Sequence, residues 1–563
     1  MNDVVLSVEN LSMDFRLRTH ILHAVRDVSF DLERGRTLCL VGESGSGKSV
    51  TARALLNIVD KPGRIVSGRI LLRTDGHETD IAALAPNSRE LLRIRGRRIG
   101  LVFQEPMSSL SPVHTIGSQI VEALRLHTPM SRQQARAQTI ELLRQVEIPN
   151  PDKMIDRYTF EFSGGMRQRA MIAMALACNP DVLIADEPTT ALDVTTQAEI
   201  LDLIKRLQVT RGMAMLLITH DMGVVAEVAD KVAVMRYGRI VEHGSVDEIF
   251  YAPQHPYTRQ LLASTLRLEE RAKNPLPASA ATTPILSVRG LGKTFGGGRA
   301  WFGGKSLEIK AVDGASFELY PGENLGIVGE SGSGKTTLGR LILRSIEPSA
   351  GTVTYRNASG RDIDVTAVGK RELRRFHSEV RLVFQDPFAS LNPRMTIRQI
   401  VGEPLVVARR AQGNELEARV AELLTLVGLE PQAMERYPHA FSGGQRQRIG
   451  IARALALDPR IIIADEATSA LDVSIRSQIL DLLLDIQKRL SLSFIFISHD
   501  ISVIRYFCDR VAVMHRGRIV ELGTADDICL RPQQAYTRTL ISAVPNPDPR
   551  NKRMLHRLRL ERA

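Results

Sequence analysis

GESGSGKS begins at Gly42 and GESGSGKT begins at Gly329, and both fit the pattern G-x-x-x-x-G-K-[ST]. Glycines in such a loop let backbone N–H groups turn inward around a chain of phosphates. The helix that follows points the positive end of its dipole at the same anion. One match could be an ordinary Gly-rich turn, but two matches at equivalent positions predict a phosphate-binding loop in each half of the chain.

The pattern also assigns a part to the residues that close each loop. Lys48 and Lys335 are expected to neutralise the β- and γ-phosphates of ATP, and Ser49 and Thr336 to ligate Mg²⁺. The nucleotide-binding residues predicted in the two loops are Gly42, Glu43, Ser44, Gly45, Ser46, Gly47, Lys48 and Ser49, and Gly329, Glu330, Ser331, Gly332, Ser333, Gly334, Lys335 and Thr336.

Other stretches repeat as well, at a constant distance. FSGGMRQR at Phe162 returns as FSGGQRQR at Phe441, and LIADEPTTALDV at Leu183 returns as IIADEATSALDV at Ile462, each 279 residues later. The same distance separates His220 from His499 and Tyr257 from Tyr536. The chain is therefore a tandem duplication. The two loop lysines are 287 residues apart, and a Gly-rich insert after Phe295, with Trp301, accounts for the extra residues as an expected surface loop.

Short apolar runs place these motifs on an α/β fold. RTLCLVG, DVLIAD, RIIIAD, MAMLLITHD and SFIFISHD read as buried strands alternating with helical stretches, which indicates a largely parallel sheet. We predict two phosphate-loop NTPase domains, at residues 1–266 and 285–545. A polar linker rich in Pro, Ala and Thr, 267–284, joins them, and a basic tail, 546–563, is expected to be solvated.

Acidic residues follow two of these strands. Asp186 and Asp465 are placed to hold Mg²⁺ through water, and Glu187 and Glu466 to polarise the water that attacks the γ-phosphate. Alone, such a pair would more often be an exposed turn. His220 and His499 each lie 33 residues after their glutamate, again behind an apolar strand. Because both are in register with a phosphate loop, we expect both to contact the γ-phosphate.

The composition sets outer limits. The 563 residues are 44% hydrophobic and 24% charged, with a net charge of +11, as in an ordinary soluble protein. The four cysteines form no CxxC pair, so neither a zinc site nor an iron–sulfur cluster is expected. No window of 18 apolar residues and no signal-peptide pattern is present, so we expect no membrane span.

The FSGG[MQ]RQR stretches resemble the signature motif of ATP-binding cassette (ABC) ATPases, and the resemblance covers nearly the whole chain. It implies an antiparallel β subdomain and a helical signature subdomain beside each core sheet. It also implies head-to-tail pairing, with each ATP between one domain's loop and the other's signature. The residues it assigns are the γ-phosphate-binding Ser163, Gly164, Gly165, Ser442, Gly443 and Gly444, the Q-loop Gln104 and Gln385 near nucleotide and Mg²⁺, the D-loop Asp193 and Asp472, and the adenine-stacking Phe15 and Phe295.

Further segments are similar to the peptide, glutathione and nickel importer ATPases. These are FQEPMSSLSPVHTI, FQDPFASLNPRMTI, HPYTRQLL and AYTRTLI. The resemblance implies an ATPase on the cytoplasmic face of a bacterial inner membrane, with two membrane-spanning permease subunits and an extracytoplasmic substrate-binding protein. No nucleic-acid partner is expected. Dipeptides, oligopeptides, glutathione, peptide-like antibiotics and nickel chelates all stay open as the solute.

Two rival classes can be weighed. A soluble tandem ABC ATPase that acts on ribosomes typically has a long, charged helical linker, whereas this linker is short and Ala/Pro-rich. A chromosome or DNA-repair ATPase needs a large insertion between loop and signature, but only about 115 residues separate Lys48 from Ser163. One asymmetry remains: Met166 stands in the first signature where the second has Gln445, so we expect two working sites that differ modestly.

Overall fold

The computed structural model describes residues 3–189, 192–269, 283–296, 308–384, 386, 390–468 and 471–558. The predicted insert around Trp301 and most of the predicted linker lie outside these ranges. The chain divides into two compact units, one of residues 1–265 with 543–557 and one of residues 266–542 with 558–563. The domain limits drawn from the sequence stay a prediction.

The first half of the chain contains the following elements. The strands are β1 Val4–Arg16, β2 Ile21–Glu33, β3 Thr37–Val41, β4 Gly63–Thr74, β5 His77–Asp80, β6 Ile99–Val102, β7 Val182–Asp186, β8 Ala214–Thr219, β9 Lys231–Arg236 and β10 Arg239–Ser245. The helices are α1 Lys48–Ala54, α2 Arg89–Ile94, α3 Pro106–Ser109, α4 Ile116–His127, α5 Arg132–Gln145, α6 Pro151–Met154, α7 Gly164–Ala175, α8 Val194–Arg211, α9 Met222–Val228, α10 Val246–Tyr251 and α11 Pro256–Glu269.

The second half repeats this order. Its strands are β11 Leu286–Phe295, β12 Ile309–Leu319, β13 Asn324–Val328, β14 Ala350–Arg356, β15 Asp362–Asp364, β16 Val380–Val383, β17 Ile461–Asp465, β18 Ser493–Ile497, β19 Arg510–His515 and β20 Arg518–Thr524. Its helices are α12 Lys335–Ile342, α13 Lys370–Glu379, α14 Ile397–Val407, α15 Gly413–Leu426, α16 Gly443–Leu455, α17 Val473–Leu490, α18 Ile501–Phe507, α19 Ala525–Leu530 and α20 Ala535–Ser542. Short 3₁₀ turns lie at Ile81–Ala83, Thr159–Glu161, Pro431–Glu435, Pro438–Ala440 and Met554–His556.

Each half contains one mainly parallel sheet and one antiparallel sheet. In the first half the six-stranded sheet has the order β10-β9-β3-β8-β7-β6, and only its β9–β10 pair is antiparallel. The antiparallel sheet has the order β2-β1-β4-β5. The second half has the equivalent orders β16-β17-β18-β13-β19-β20 and β12-β11-β14-β15. The predicted fold class is confirmed.

The burial of the central strands explains why they read as continuous apolar runs. Every residue of β3 and β8 is buried, because side chains on both faces of the sheet are covered. The predicted strands before the first loop, before both acidic pairs and before both histidines are all present. Within the described residues no helix is both long and apolar enough to cross a membrane.

The C-terminal segment differs from the solvated tail that its basic composition suggested. Residues 543–557 belong to the first compact unit, and Ala543 and Met554 are fully buried in its hydrophobic core. The carboxylate of Glu227 in α9 is also buried, and its Oε1 accepts hydrogen bonds from the backbone N–H groups of residues 546, 553 and 554 at 3.2, 2.8 and 3.0 Å. Four of these 15 residues are Lys or Arg and one is Asp, but the buried apolar residues decide where the segment packs.

Candidate active site

The first phosphate loop runs from the end of β3 to the start of α1, at the C-terminal edge of the parallel sheet. The side chain of Lys48 is buried, and its Nζ donates to the carbonyl oxygens of Gly42 at 2.7 Å and Glu43 at 3.0 Å. The ammonium group thus lies against the loop backbone. In the second half the corresponding atoms are Lys335 Nζ, Gly329 O at 2.8 Å and Glu330 O at 2.7 Å.

Glycine is required at the last loop position of each half. Gly47 precedes α1 with φ 106°, and Gly334 precedes α12 with φ 103°. A β-carbon at these residues would collide with the carbonyl oxygen of Ala24 or Ala311. Only glycine combines this backbone angle with such a close approach.

The residue after each loop lysine faces the aspartate that ends the neighbouring strand. Ser49 Oγ donates to Asp186 Oδ1 at 3.0 Å, and Thr336 Oγ1 donates to Asp465 Oδ1 at 3.2 Å. Burial raises the pKa of both aspartates, and the adjacent glutamate raises it further against the opposing effect of the hydroxyl. A hydroxyl and a carboxylate oxygen at this distance are the hard ligands that Mg²⁺ takes in phosphate sites. The donor set therefore fits the predicted ion.

The glutamate that follows each aspartate has an uncommon backbone conformation. Glu187 has φ 45° and Glu466 has φ 48°, both in the left-handed region that residues other than glycine rarely occupy. The N–H of Glu187 donates to Ile218 O at 3.0 Å, and that of Glu466 to Ile497 O at 2.9 Å, which ties each turn to the next strand. Strained residues of this kind concentrate at functional sites.

Side chains from two further segments meet the first glutamate. His220 Nδ1 lies 3.2 Å from Glu187 Oε1, and Gln104 Nε2 donates to Glu187 Oε2 at 3.0 Å. The structure therefore brings together three residues that the sequence assigned separately.

The second glutamate has the same histidine partner. His499 Nδ1 lies 3.3 Å from Glu466 Oε1, whereas Gln385 lies outside the described residues. Burial by itself would raise the pKa of Glu466, but the hydrogen bond and charge of His499 and the charge of Lys335 outweigh it. The net result is a pKa below the ordinary value for glutamate, so this carboxylate is ionised at neutral pH.

The signature stretches form helix N-termini. Ser163 caps α7 by accepting from the N–H of Met166 at 3.3 Å, and Ser442 caps α16 by accepting from the N–H of Gln445 at 3.3 Å. In the second half only, the Gln445 side chain returns a bond, because its Oε1 accepts from the N–H of Ser442 at 3.0 Å. The thioether of Met166 packs against the core of the first unit instead.

The signature glycines lie at the N-terminus of a helix, where backbone N–H groups point out of the helix end. Gly164 and Gly165 open α7, and Gly443 and Gly444 open α16. The predicted pairing of each signature with the loop of the other half is a relation between the two units and stays a prediction.

Of the D-loop residues, Asp193 caps α8 by accepting from Thr196 N–H at 3.0 Å, and Asp472 stands at the same position before α17.

The two predicted adenine-stacking residues lie in the antiparallel sheets. Phe15 is in β1, opposite Gly63 of β4, and Phe295 ends β11, with Lys293 Nζ 5.4 Å from its ring centroid. Their part in nucleotide binding is not settled by these contacts and stays a prediction.

The sequence motifs did not predict one pair of contacts at the phosphate loops. Tyr257 Oη accepts from the N–H of Glu43 at 3.1 Å, and Tyr536 Oη accepts from the N–H of Glu330 at 3.1 Å. The signal was present, since the two tyrosines share the 279-residue spacing of the motifs. It could not be interpreted because more than 200 residues separate each tyrosine from its loop.

A glycine-rich loop that ends in a buried lysine, between a parallel strand and a helix, defines a phosphate-loop ATPase, and this chain contains two. The family model described as "ABC transporter" matches residues 25–190 and 312–469, which is more than half of the chain. A second model, "Oligopeptide/dipeptide transporter, C-terminal region", matches residues 241–298 and 520–563. The chain belongs to the ABC transporter family and is an ATP-binding, ATP-hydrolysing subunit of such a transporter.

Curated relatives match over almost the whole length. The glutathione import ATP-binding protein GsiA of Shigella flexneri is 49% identical over 98% of this chain and 91% of its own. GsiA of Escherichia coli K12 is 48% identical over the same shares. Among solved structures, a post-hydrolysis dimer of the ATP-binding cassette MJ0796 with ADP and phosphate is 26% identical, with a TM-score of 0.38 over 43% of this chain and 98% of that one. The family matches set aside the ribosome-acting alternative.

Proposed function

We propose that this subunit hydrolyses ATP with Mg²⁺ at two sites, one in each half, and thereby powers the import of a peptide-like solute. The observation that carries the proposal is the repeated geometry around Glu187 and Glu466, each held by a histidine next to a Ser/Thr–Asp pair. The match of both C-terminal regions to oligopeptide and dipeptide transporters supports the solute class.

The residues divide the chemistry in a simple way. Lys48 moves from the loop carbonyls to the phosphates, while Ser49 and Asp186 hold the Mg²⁺. Bound Mg²⁺ supplies charge neutralisation at the β- and γ-phosphate oxygens. Glu187 polarises the attacking water. His220 contacts the γ-phosphate, as its register with the loop predicts, and also fixes the orientation of the Glu187 carboxylate. In the second half these parts fall to Lys335, Thr336, Asp465, Glu466 and His499.

The remaining assignments complete the proposed sites. The capped N-termini of α7 and α16 offer backbone N–H groups to a γ-phosphate. Gln104 and Gln385 lie near the nucleotide and Mg²⁺. Phe15 and Phe295 contact adenine. These parts rest on the family resemblance and on the positions of the described residues.

The mechanism is tested by changing both glutamates together. The double variant Glu187→Gln with Glu466→Gln keeps the side-chain shape but removes the general base, so ATPase activity should fall by about 10²–10⁴-fold. ATP binding, measured by equilibrium titration of the purified chain, should persist. The matched control changes Glu90 and Glu417, which are exposed helical glutamates, to Gln. Turnover near the wild-type rate in the site variant would contradict the proposed mechanism.

Membrane partners are proposed from the surface that follows Gln104. Met107 and Val113 are exposed there, at 57% and 73%. A groove of about 380 Å³ lies on the neighbouring helices, lined by Ser118, Val121, Glu122, Arg125, Leu126 and Arg132. Exposed apolar side chains beside a groove suit a helix of another protein. We assign this face, and the equivalent segment near Ser390, to two permease subunits at the cytoplasmic face of a bacterial inner membrane. A substrate-binding protein outside the membrane would act through them.

Cysteine crosslinking tests this attachment. Cysteines introduced at Ser109 and Ser390, in a chain with Cys178 changed to Ser, should capture permease subunits in membranes that transport actively. Cysteines at two exposed positions of the antiparallel sheets serve as controls: His77, the first residue of β5, and Ser359, in the turn between β14 and β15. Capture at the control positions only, or at none, would argue against the assignment.

The solute class has a separate test. Deleting the gene should abolish uptake of a peptide, glutathione or a closely related compound, and the chain restored with intact glutamates should recover it. Calorimetry on the partner binding protein would then identify the solute. Loss of sugar or lipid uptake alone would refute import of a peptide-like compound.

A further inference from the structure

Each C-terminal region sends one buried tyrosine to the phosphate loop of its own half. Tyr257 of α11 is 2% exposed and Tyr536 of α20 is 7% exposed. Their hydroxyl oxygens accept from the N–H of the second loop residue, Glu43 or Glu330, at 3.1 Å in both halves. The same contact is therefore present in both halves of the chain, although the surrounding residues differ.

The tyrosine and the loop lysine form hydrogen bonds with the same peptide group. In the planar trans peptide between Gly42 and Glu43, the C=O and the N–H point in opposite directions. Lys48 Nζ donates to the oxygen at 2.7 Å, and Tyr257 accepts from the nitrogen at 3.1 Å. Fixing both ends sets the orientation of this peptide, and with it the start of the loop. In the second half Lys335 and Tyr536 hold the peptide between residues 329 and 330 in the same way.

The tyrosines are themselves held firmly. The carboxylate of Glu242 in β10 accepts from the N–H groups of Gln254 and His255 at 2.6 and 3.0 Å, which fixes the turn before α11. Arg236 lies over the Tyr257 ring, with its Cζ 4.5 Å from the centroid. In the second half Glu521 holds the turn before α20, and His515 stacks on Tyr536 with the ring centroids 3.9 Å apart.

We propose that Tyr257 and Tyr536 are positioning residues for ATP binding, through which each C-terminal region sets the affinity of its own phosphate loop. This inference rests on the proposed function, because it takes the two loops as the ATP sites. When the lysine turns from the loop carbonyls to the phosphates, the tyrosine hydroxyl continues to orient this peptide through its N–H. Without the hydroxyl, the free loop spends less time in the binding-competent form, and the apparent affinity falls by that fraction.

The test removes the hydroxyl and keeps the ring. Tyr257→Phe and Tyr536→Phe, singly and together, are made in the full chain and titrated with ATP. We expect Kd and KM for ATP to rise about two- to tenfold at the altered site, the effect of one neutral hydrogen bond, with kcat changed less than about twofold. Hydrogen exchange of the Glu43 or Glu330 amide should accelerate in the same variants, while the thermal midpoint falls by no more than about 2–4 °C, the shift that about 1 kcal/mol produces in a domain of this size.

Tyr251→Phe is the matched control. Tyr251, on α10 of the same C-terminal region, also bonds through its hydroxyl, to Asp548, but does not contact the loop in any described bond. Its ATP affinity should equal that of the wild type. Unchanged affinity and amide exchange in the Tyr257 and Tyr536 variants would overturn the inference, as would equal weakening in the Tyr251 control. A wild-type chain that binds no ATP would instead refute the proposed function.

Discussion

At the scale of single residues, the buried Asp186 and the half-buried Asp465 place the proposed catalytic chemistry and folding stability in conflict. The folded-state pKa of Asp186 and of Asp465 lies above its unfolded value, so ionisation at neutral pH costs stability. The cost disappears as the pH falls through the folded-state pKa, where both carboxyls become neutral. In the proposed mechanism, bound Mg²⁺ would offset this cost.

We therefore predict that Asp186→Asn and Asp465→Asn stabilise the nucleotide-free chain while abolishing ATPase activity. Asn keeps an acceptor for Ser49 or Thr336 but carries no charge. The thermal midpoint at pH 7 should rise by roughly 2–4 °C, the shift that about 1 kcal/mol produces in a domain of this size.

The pH dependence of this gain provides the control. The difference from the parent should shrink as the pH is lowered towards the folded-state pKa, and exposed Asp152→Asn should show no such gain. A gain that grows at low pH would contradict the assigned cause.

Met166 gives a second prediction at the scale of single residues. The structure locates the difference between the two signatures in helix capping, because the Gln445 side chain accepts a hydrogen bond from the N–H of Ser442, whereas a thioether is at best a weak acceptor. Met166→Gln should change the ATPase rate by less than about tenfold, since one neutral bond is worth about 0.5–1.5 kcal/mol and tenfold corresponds to 1.36. Gln445→Met is the reciprocal variant, measured in the same assay. A change above tenfold in either would mean that this position does more than cap its helix.

At the scale of elements, α9 links the first site to the C-terminal segment. It begins at Met222, two residues after His220, and its Glu227 carboxylate accepts three backbone hydrogen bonds from residues 546–554. Arg557 and Asp202, both largely buried, add an ion pair at 3.5 Å, and Gly223 leaves room for Pro545. The C-terminal segment thus packs on the helix that follows His220, a proposed site residue.

Removing this anchor should loosen the segment. Glu227→Ala leaves three N–H groups without their acceptor, and each buried unpaired donor costs about 1–3 kcal/mol. We expect a lower thermal midpoint for the first unit and faster trypsin cleavage between residues 550 and 557. Glu90→Ala, at an exposed position of α2 in the same unit, is the control. Unchanged cleavage and midpoint in Glu227→Ala would show that apolar packing alone holds the segment.

At the scale of the whole molecule, the two sites are built alike. The Ser/Thr–Asp distances are 3.0 and 3.2 Å, and the His–Glu distances are 3.2 and 3.3 Å. In the part of the chain that the structure describes, each half has the lysine, the Ser/Thr–Asp pair and the Glu–His pair of the proposed site. The chain is therefore expected to work as two competent sites rather than one active and one degenerate site.

Single glutamate variants test this expectation. Glu187→Gln and Glu466→Gln, made one at a time, should each reduce ATPase activity well below half of the wild-type rate if the sites are coupled. A remaining rate of one half in both would indicate independent sites. Full activity in one variant and none in the other would reveal a degenerate site and contradict the equal geometry.

Much of this protein follows from short sequence patterns. The loops, the strand ends and the duplication were all predicted, because a run of apolar residues or a Gly-rich turn determines its own local geometry wherever it occurs. Gly47, Lys48 and Asp186 lie where their motifs placed them. The pairing of the two halves and the residues around Gln385 stay predictions.

Only the tertiary structure decided which distant residues meet. The tyrosine contacts with the loops span more than 200 residues, and those of Glu227 with the C-terminal segment span more than 300. No local period encodes such contacts, since they depend on which sheet edges and helix faces come together. Charge composition predicted a solvated tail from residue 546, yet Met554 is buried, because burying a few apolar side chains and pairing Glu227 outweighs the hydration of the basic side chains. Arg550 and Arg553 stay exposed, while Arg557 is paired with Asp202.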